Sequence, residues 1–355
     1  MDVLPLPTRR AAVATLVATE GSTPRETGAR MWVDETGAII GSVTIGGCVD
    51  ARVIEASQEV IDAGVSRVVA MALGDEDAWA LGMTCAGTVE VLIEPYRPAP
   101  DVDPVARSLT RAGEAVRAGR RHATVIPLDG HAGRLDVSDA GDVDGTLGDA
   151  ALDRAAIDLA RTRLDEGRAG TATLETPSGG CRVFVDVHAP PLTLVVFGAT
   201  HVAMPLVEMA RPLGWRTVVV DGRERFATRE RFPDVDALIV GMPSEIATRL
   251  PLGPSSLVVL LSHDYKYDLP VLQAVLASDA AYVGCLGSAR RGKAMLEFLA
   301  AQGVPAAQLA RVRIPVGLDV GARSAAEIAL SVLAEGLAAE RGRAGGPMRE
   351  RRRGA

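Results

Sequence analysis

What this chain lacks narrows the field before any motif is read. Cysteine is sparse: 355 residues carry four, Cys48, Cys85, Cys181 and Cys285, with no CxxC among them. That excludes a disulfide framework and a zinc ribbon, and it predicts reduced thiols. No apolar run approaches the ~20 residues that cross a bilayer. The opening MDVLPLPTRRAAVATLVA places its arginines behind the first leucines and has no long apolar core before a small-residue cleavage site. It does not read as a secretory signal, and a cytoplasmic protein is expected. Basic excess is missing too: the formal charge is −7, which argues against nucleic acid or an anionic membrane as the main partner. The histidines, His122, His131, His188, His201 and His263, show neither HxxxH nor HExxH spacing. No protein-ligated metal is expected.

What is present is a chain with 48% hydrophobic residues, long enough for two or three domains with cores of their own. From Thr193 strands and helices alternate. Short apolar runs of the kind buried parallel strands need occur at Thr193–Gly198, Arg216–Asp221, Asp236–Gly241, Ser256–Ser262, Ala281–Gly287 and Val312–Leu318. Helices are predicted over Val202–Leu213, Pro270–Ala277, Lys293–Gln302 and Ala325–Ala339, the last opened by Ser324 and Glu327 as a capping box. Such alternation predicts a Rossmann-like, doubly wound parallel sheet over 191–340. The Gly- and Arg-rich tail 341–355 has almost nothing apolar and reads as a disordered basic tail.

The first half, 1–190, reads as an α+β domain with a weak internal repeat. Ala29–Gly64 and Gly133–Gly167 share the order strand, glycine turn, strand, glycine turn, long amphipathic helix; alternating strands follow at Thr88–Pro95 and Cys181–His188. Two hairpin-helix-strand units, about 11–98 and 122–190, are expected. In this comparison Cys48 faces Ala150 and Cys85 faces Pro177. Alanine therefore serves the second helix entrance where the first has a thiol.

That difference bears on GSVTIGGCVD. Cys48 follows Gly46 and Gly47 at the start of a helix, where the helix dipole and unpaired N–H groups favour a thiolate, and where glycines let a ligand approach the backbone. The other reading is a small buried residue that happens to be sulfur. Cys85 poses the same choice, whereas Cys181 and Cys285 lie in predicted strands and read as structural. Nearby, GSTPRETGAR lacks the G-K-[ST] ending of a phosphate loop; Arg25 either faces an anion or decorates the surface. Glu20 and Asp50 read as proton partners of the thiol or, for Asp50, as a helix cap.

In the second half, Gly198-Ala199-Thr200-His201-Val202-Ala203 sits where a dinucleotide fingerprint belongs, with Asp221 23 residues on at a strand end. Thr200 replaces the glycine that lets a pyrophosphate approach. Gly198, His201, Asp221, His263, Asp264, Gly287 and Ser288 all follow the carboxyl ends of predicted strands, the edge where open α/β sheets bind ligands. Gly287 and Ser288 lead into Arg290 and Arg291, a phosphate seat by residue type. NAD(P) is the rival ligand to a phosphate-tailed pterin, and an NAD(P)-dependent oxidoreductase or a nucleotide-sensing regulator is the rival function.

The stretches GSTPRETGARMWV, GSVTIGGCVD, DEDAWALGMTCAGTVEVLIEP, VVFGATHVAMPLVEMARPLGWRTVVVDGRERF, LSHDYKYDLPVL, YVGCLGSARR and IPVGLDVGARSAAEIALS, in this order, resemble the XdhC/CoxI family. The resemblance implies a maturation factor for molybdenum hydroxylases such as xanthine dehydrogenase and carbon monoxide dehydrogenase. By that resemblance it binds the molybdenum cofactor (molybdopterin) transiently, supports its sulfuration by a cysteine desulfurase, and passes it to the hydroxylase apoenzyme. It is then an accessory or chaperone protein rather than the dehydrogenase itself. The family's Gly-Gly-Cys falls on Gly46, Gly47 and Cys48, and its second motif on Cys85, Ala86 and Gly87, with Ala86 replacing a glycine. Handing over a cofactor is also compatible with a homodimer.

Overall fold

The computed structural model describes residues 6–21, 25–44, 48–73, 87–130, 133–176, 179–262 and 264–347. The chain divides into two compact units, Met1–Pro190 and Pro191–Ala355.

In the first unit, β1 (Ala11–Gly21), β2 (Arg30–Asp34), β3 (Ile39–Gly41), α1 (Cys48–Ala63), β4 (Arg67–Leu73) and β5 (Gly87–Tyr96) form one half. After α2 (Pro104–Arg117), the other half runs β6 (His122–Pro127), β7 (Arg134–Ser138), β8 (Val143–Thr146), α3 (Ala150–Glu166), β9 (Gly170–Thr176) and β10 (Gly179–His188). The antiparallel sheets have the orders β3-β2-β1-β5-β4 and β8-β7-β6-β10-β9. The same order occurs twice, so the repeat is real. Each copy is larger than hairpin, helix and strand, because β1 or β6 leads it and β4 or β9 follows its helix.

Strict two-residue alternation builds the layers. Ala12, Ala14 and Leu16 of β1 with Val89, Val91 and Ile93 of β5 pack on Val49, Val53, Val60 and Ile61 of α1. Ala123, Val125, Val183, Val185 and Val187 pack on Leu152, Ala156, Ala160 and Leu164 of α3. The opposite faces of the two sheets meet through Val17, Leu92, Ile126 and Phe184, so the unit is layered helix, sheet, sheet, helix. Helix α2 had no sequence expectation. Its cap Asp103 accepts from the Ala106 N–H at 2.8 Å, and it lays Val105, Ala106 and Leu109 against Trp32 and Tyr96.

Charges cross between the sheets in a matched pair. Val13 lies opposite both Trp32 and Glu94, and Thr124 opposite both Asp136 and Asp186, which makes Glu94 and Asp186 equivalent positions. Each meets an arginine of the other copy: Glu94 binds Arg134 at 2.5 Å with both side chains 8% exposed, and Asp186 binds Arg30. Burial pushes the Asp186 carboxyl up, but Arg30 and His188 outweigh it and hold the group well below the ordinary carboxylate range. Burial also depresses His188, against the pull of Asp186.

The second unit is one parallel sheet of β11 (Thr193–Phe197), β12 (Arg216–Asp221), β13 (Ala237–Val240), β14 (Ser256–Leu260), β15 (Tyr282–Cys285) and β16 (Val312–Arg313), in the order β13-β12-β11-β14-β15-β16. This is a Rossmann-like sheet whose direction of winding switches between β11 and β14. Leu194 and Val196 face α4 (Ala203–Ala210) and α9 (Ala325–Glu340). Val195 and Phe197 share the other core with α6 (Tyr265–Leu276) and α7 (Ala289–Ala301). The short helices α5 (Pro243–Ala247) and α8 (Ala306–Leu309) complete the connections.

Several predicted boundaries move. Helix α6 starts at Tyr265, not Pro270, because Asp264 caps it by accepting from the Lys266 N–H at 2.9 Å. Helix α7 starts four residues early behind Ser288, and α4 stops at Ala210, where a 3-10 turn carrying Pro212 leads to Gly214. Strand β16 ends at Arg313, since Pro315 has no N–H to continue a ladder. Of the predicted tail, residues 341–347 hold neither helix nor strand, and 348–355 lie outside the described residues.

Asp186→Asn should cost about 3–5 kcal/mol in urea unfolding of the first unit, because Arg30 is left buried without its counter-charge. Replacing both partners with Arg30→Met and Asp186→Leu should cost far less. Because the folded carboxyl is depressed, its stabilisation is present above the ordinary carboxylate range and fades as pH falls toward the folded value. The asparagine variant should lack that acid limb.

Candidate functional site

The first candidate is the entrance of α1. Cys48 is the first residue of that helix. Gly46, Gly47 and Cys85 lie outside the described residues, as does the Cys48 side chain. The approach to it is braced. Asp50 accepts from Ser42 Oγ at 2.6 Å and from the Thr44 hydroxyl at 3.0 Å, and Arg25 Nε donates to the Thr44 carbonyl at 3.1 Å. Asp50 thus ties Ser42 and Thr44 to the first turn of α1.

The second copy has the same brace: Asp153 accepts from Thr146 Oγ1 and from the Leu147 N–H, both at 2.7 Å. Matching the two carboxylates sets Cys48 beside Ala151, one residue on from Ala150, and the span from Ser42 to Asp50 is one residue longer than that from Thr146 to Asp153. Same scaffold, different chemistry. Among the described residues, Cys181 and Cys285 are buried where the thiolate is disfavoured. Burial raises Cys181, whose Sγ lies 3.7 Å from Asp129, and burial pushes Cys285 up to about 12. In the same unit a cleft of about 650 Å³ runs between the sheets, walled by Leu92, Val105 and Ile126 with Glu94 and Arg134 in its lining; no sequence expectation covered it.

The second candidate is the carboxyl edge of the parallel sheet. Gly198, at φ +108°, has room for no side chain: a Cβ would lie 3.0 Å from the Ser262 nitrogen. The glycine lets β11 turn against the end of β14. The next two backbone donors both point inward. Ala199 N–H donates to Asp221 Oδ2 at 2.7 Å, and Thr200 N–H turns back to the Gly198 carbonyl at 2.8 Å. His201 is exposed on this turn, and His263 lies outside the described residues.

Asp221 stands at the end of β12, 4% exposed, with both oxygens taken. Oδ1 accepts from Arg223 N and Nε at 2.9 Å, and Oδ2 accepts from Arg223 Nη2 at 2.7 Å as well as from Ala199. Burial pushes its carboxyl up, and the Arg223 bonds outweigh that and hold it low. Arg223 lies 4.2 Å over the Phe226 ring, and Arg231 donates to the Ala199 and Phe226 carbonyls. Nothing in the sequence pattern singled out these residues, although the run Arg223-Glu224-Arg225-Phe226 straight after a strand end was the visible signal.

On the β15 side, Ser288 caps α7 by accepting from the Arg291 N–H at 3.3 Å, beside Gly287, and Arg290 is exposed. Arg291 stacks 4.4 Å over Tyr265 and donates to the buried Asp268 at 3.1 Å, which also accepts from Ser262. Arg291 is only partly exposed, whereas Arg290 faces water at this helix entrance. Asp264 caps α6.

A dinucleotide asks such a turn for uncommitted backbone N–H groups and a free acid for the ribose hydroxyls. Here the Ala199 and Thr200 N–H groups and the acid are engaged within the chain. Asp221→Asn should weaken the second unit by about 1.5–3 kcal/mol in urea. The aspartate's contribution should also fade as pH falls below the ordinary carboxylate range, since its folded value is depressed.

Comparison with known proteins agrees with this architecture. The model of the XdhC and CoxI family matches residues 7–71, and that of the XdhC Rossmann domain matches 194–335. Together they cover more than half of the chain. A protein of Bacillus subtilis named as a probable xanthine dehydrogenase subunit is 28% identical over 94% of each chain. The molybdenum cofactor insertion chaperone PaoD of Escherichia coli is 26% identical over 92% of this chain and 82% of its own. The crystal structure of a Bacillus halodurans protein described as a xanthine dehydrogenase superposes with a TM-score of 0.72 at 28% identity, covering 94% of this chain and 93% of that one. With both family models matched in sequence order and the whole architecture shared, this chain belongs to the XdhC and CoxI family.

Proposed function

We infer that this protein is an accessory factor of molybdenum enzymes: it binds the molybdenum cofactor as cargo, supports its sulfuration and delivers it to a hydroxylase apoenzyme of the xanthine or carbon monoxide dehydrogenase type. Kinship with a molybdenum cofactor insertion chaperone along nearly the whole chain supports the role. One observation carries the assignment of Cys48. The two copies of the first unit share a braced helix entrance, yet only the first has a thiol there, behind two glycines and a loop one residue longer. Structural need does not explain a cysteine where the twin uses alanine.

In this reading Cys48 serves as a thiolate toward the metal or as a carrier of persulfide sulfur from a cysteine desulfurase, with Cys85 as its partner thiol. The rival oxidoreductase reading needs a free acid for the ribose, and Asp221, with both oxygens engaged within the chain, speaks against it.

Co-expressed with its client hydroxylase, wild type should raise the client's activity, and Cys48→Ser should leave it at the level without the factor. The variant's circular dichroism and melting should match wild type. Full activation by Cys48→Ser would remove the thiol from the account.

A further inference from the structure

We propose that the edge strand β4 and the cleft beside it dock an extended, uncharged aliphatic segment of a partner protein, added to the sheet as one more strand. The docking site does not depend on the role of Cys48.

The two copies of the first unit disagree at this place. Val68 lies opposite Leu92 and Thr171 opposite Phe184, and Leu92 and Phe184 precede the equivalent Glu94 and Asp186 by the same step. Val68 and Thr171 therefore correspond, and counting back pairs Ser66 with Ala169 and Val65 with Arg168. Ile126, opposite Phe184, corresponds to Thr15, opposite Leu92. The cleft side is aliphatic where the twin side is polar: Val65, Val68 and Ile126 stand against Arg168, Thr171 and Thr15.

The twin side is closed. Thr27 Oγ1 donates to the Ala169 carbonyl at 3.2 Å, and Ala169 packs on the cluster of Val17, Leu92, Ile126 and Phe184. Around the corresponding Ser66 the first copy opens instead into the cleft of about 650 Å³, with Val68, Ile126 and Leu128 in its wall. Two apolar residues of that lining, Val65 and Val102, are 67% and 76% exposed. The fold closes one of two equivalent places, so it does not oblige the other to stay open.

Strand β4 supplies the docking edge. It ends its sheet and pairs only with β5, and among the described residues its backbone makes no other hydrogen bond. Natural edges are blunted by shortness, charge or cover. Strand β3 has three residues, β8 carries Asp144 in an ion pair with Arg111, and β9 carries Glu175 among threonines. Strand β4 runs seven residues, and none after Arg67 is charged.

The chemistry selects the occupant. The charges of the lining are matched within the chain: Glu94 with Arg134, Arg67 with Glu59, and Asp103 with the N–H groups of Arg97 and Ala106. The cleft therefore asks for no net charge. Strand addition satisfies the backbone groups of edge and segment together and sets alternate side chains over the cleft. A second copy of β4 would bring Val68 and Ala70 to that face, which are too small to fill it. A partner strand with leucine, isoleucine or methionine at alternate positions fits.

Calorimetry and amide hydrogen exchange of the full chain with capped peptides of about seven residues test this. One peptide alternates leucine with threonine, the other alanine with threonine. The leucine peptide should bind at least about tenfold more tightly than the alanine peptide and should slow exchange along β4. Val65→Arg, which copies the twin at an exposed position, should weaken the leucine peptide at least about tenfold without changing the melting temperature. Val68→Thr should weaken it less. Equal binding of the two peptides, no binding at millimolar concentration, binding that leaves β4 exchange unchanged, or full affinity in Val65→Arg would each overturn the proposal. Slow β4 exchange without peptide that is lost on dilution would make a second copy the occupant and overturn it as well.

Discussion

Buried carboxylates must be paired or they destabilise the fold, and in this protein how they are paired decides both architecture and chemistry. In the first unit Glu94 and Asp186 stand at equivalent positions and each takes an arginine from the opposite copy. That exchange fixes the register of one sheet on the other more specifically than Val17, Leu92, Ile126 and Phe184 do by packing alone. In the second unit the same rule holds at the sheet edge, where Asp221 is satisfied by the glycine turn and by Arg223.

The repeat shows how one scaffold came to hold different chemistry at its two helix entrances. Asp50 and Asp153 brace the same loop in the same way, so stability does not require the two entrances to differ. They differ in having a thiol, two preceding glycines and one extra residue in the first copy. Change at a position the scaffold leaves unconstrained is where function is free to reside.

Much of this was legible in the sequence, and the reasons for the remainder are physical. Runs such as TLVVFG and SLVVLLS read as buried parallel strands because both faces are covered, and Gly198 reads as a turn that admits no side chain. Boundaries shifted where a polar cap competed with an apolar pattern, as Asp264 and Ser288 did. Helix α2 was invisible because its start, Asp103-Pro104, follows a proline-rich stretch that reads as loop. The crossed ion pairs were invisible for another reason: Arg30 and Asp186 are 156 residues apart, and no local pattern links them. Arg223 is not legible in the sequence, because an arginine after a strand end usually faces water, and only the position of Asp221 shows that its guanidinium is clamped.

The account rests on a helix entrance braced by Asp50 in the first unit, in a chain whose relatives include a cofactor insertion chaperone. Its central claim is that the molybdenum cofactor is the cargo. Molybdenum cofactor released from a donor enzyme should be mixed with the purified protein, gel-filtered, and assayed for molybdenum and pterin in the protein fraction. The account predicts co-elution of both with the protein in near-constant ratio. Elution of molybdenum and pterin only with the small molecules would contradict it.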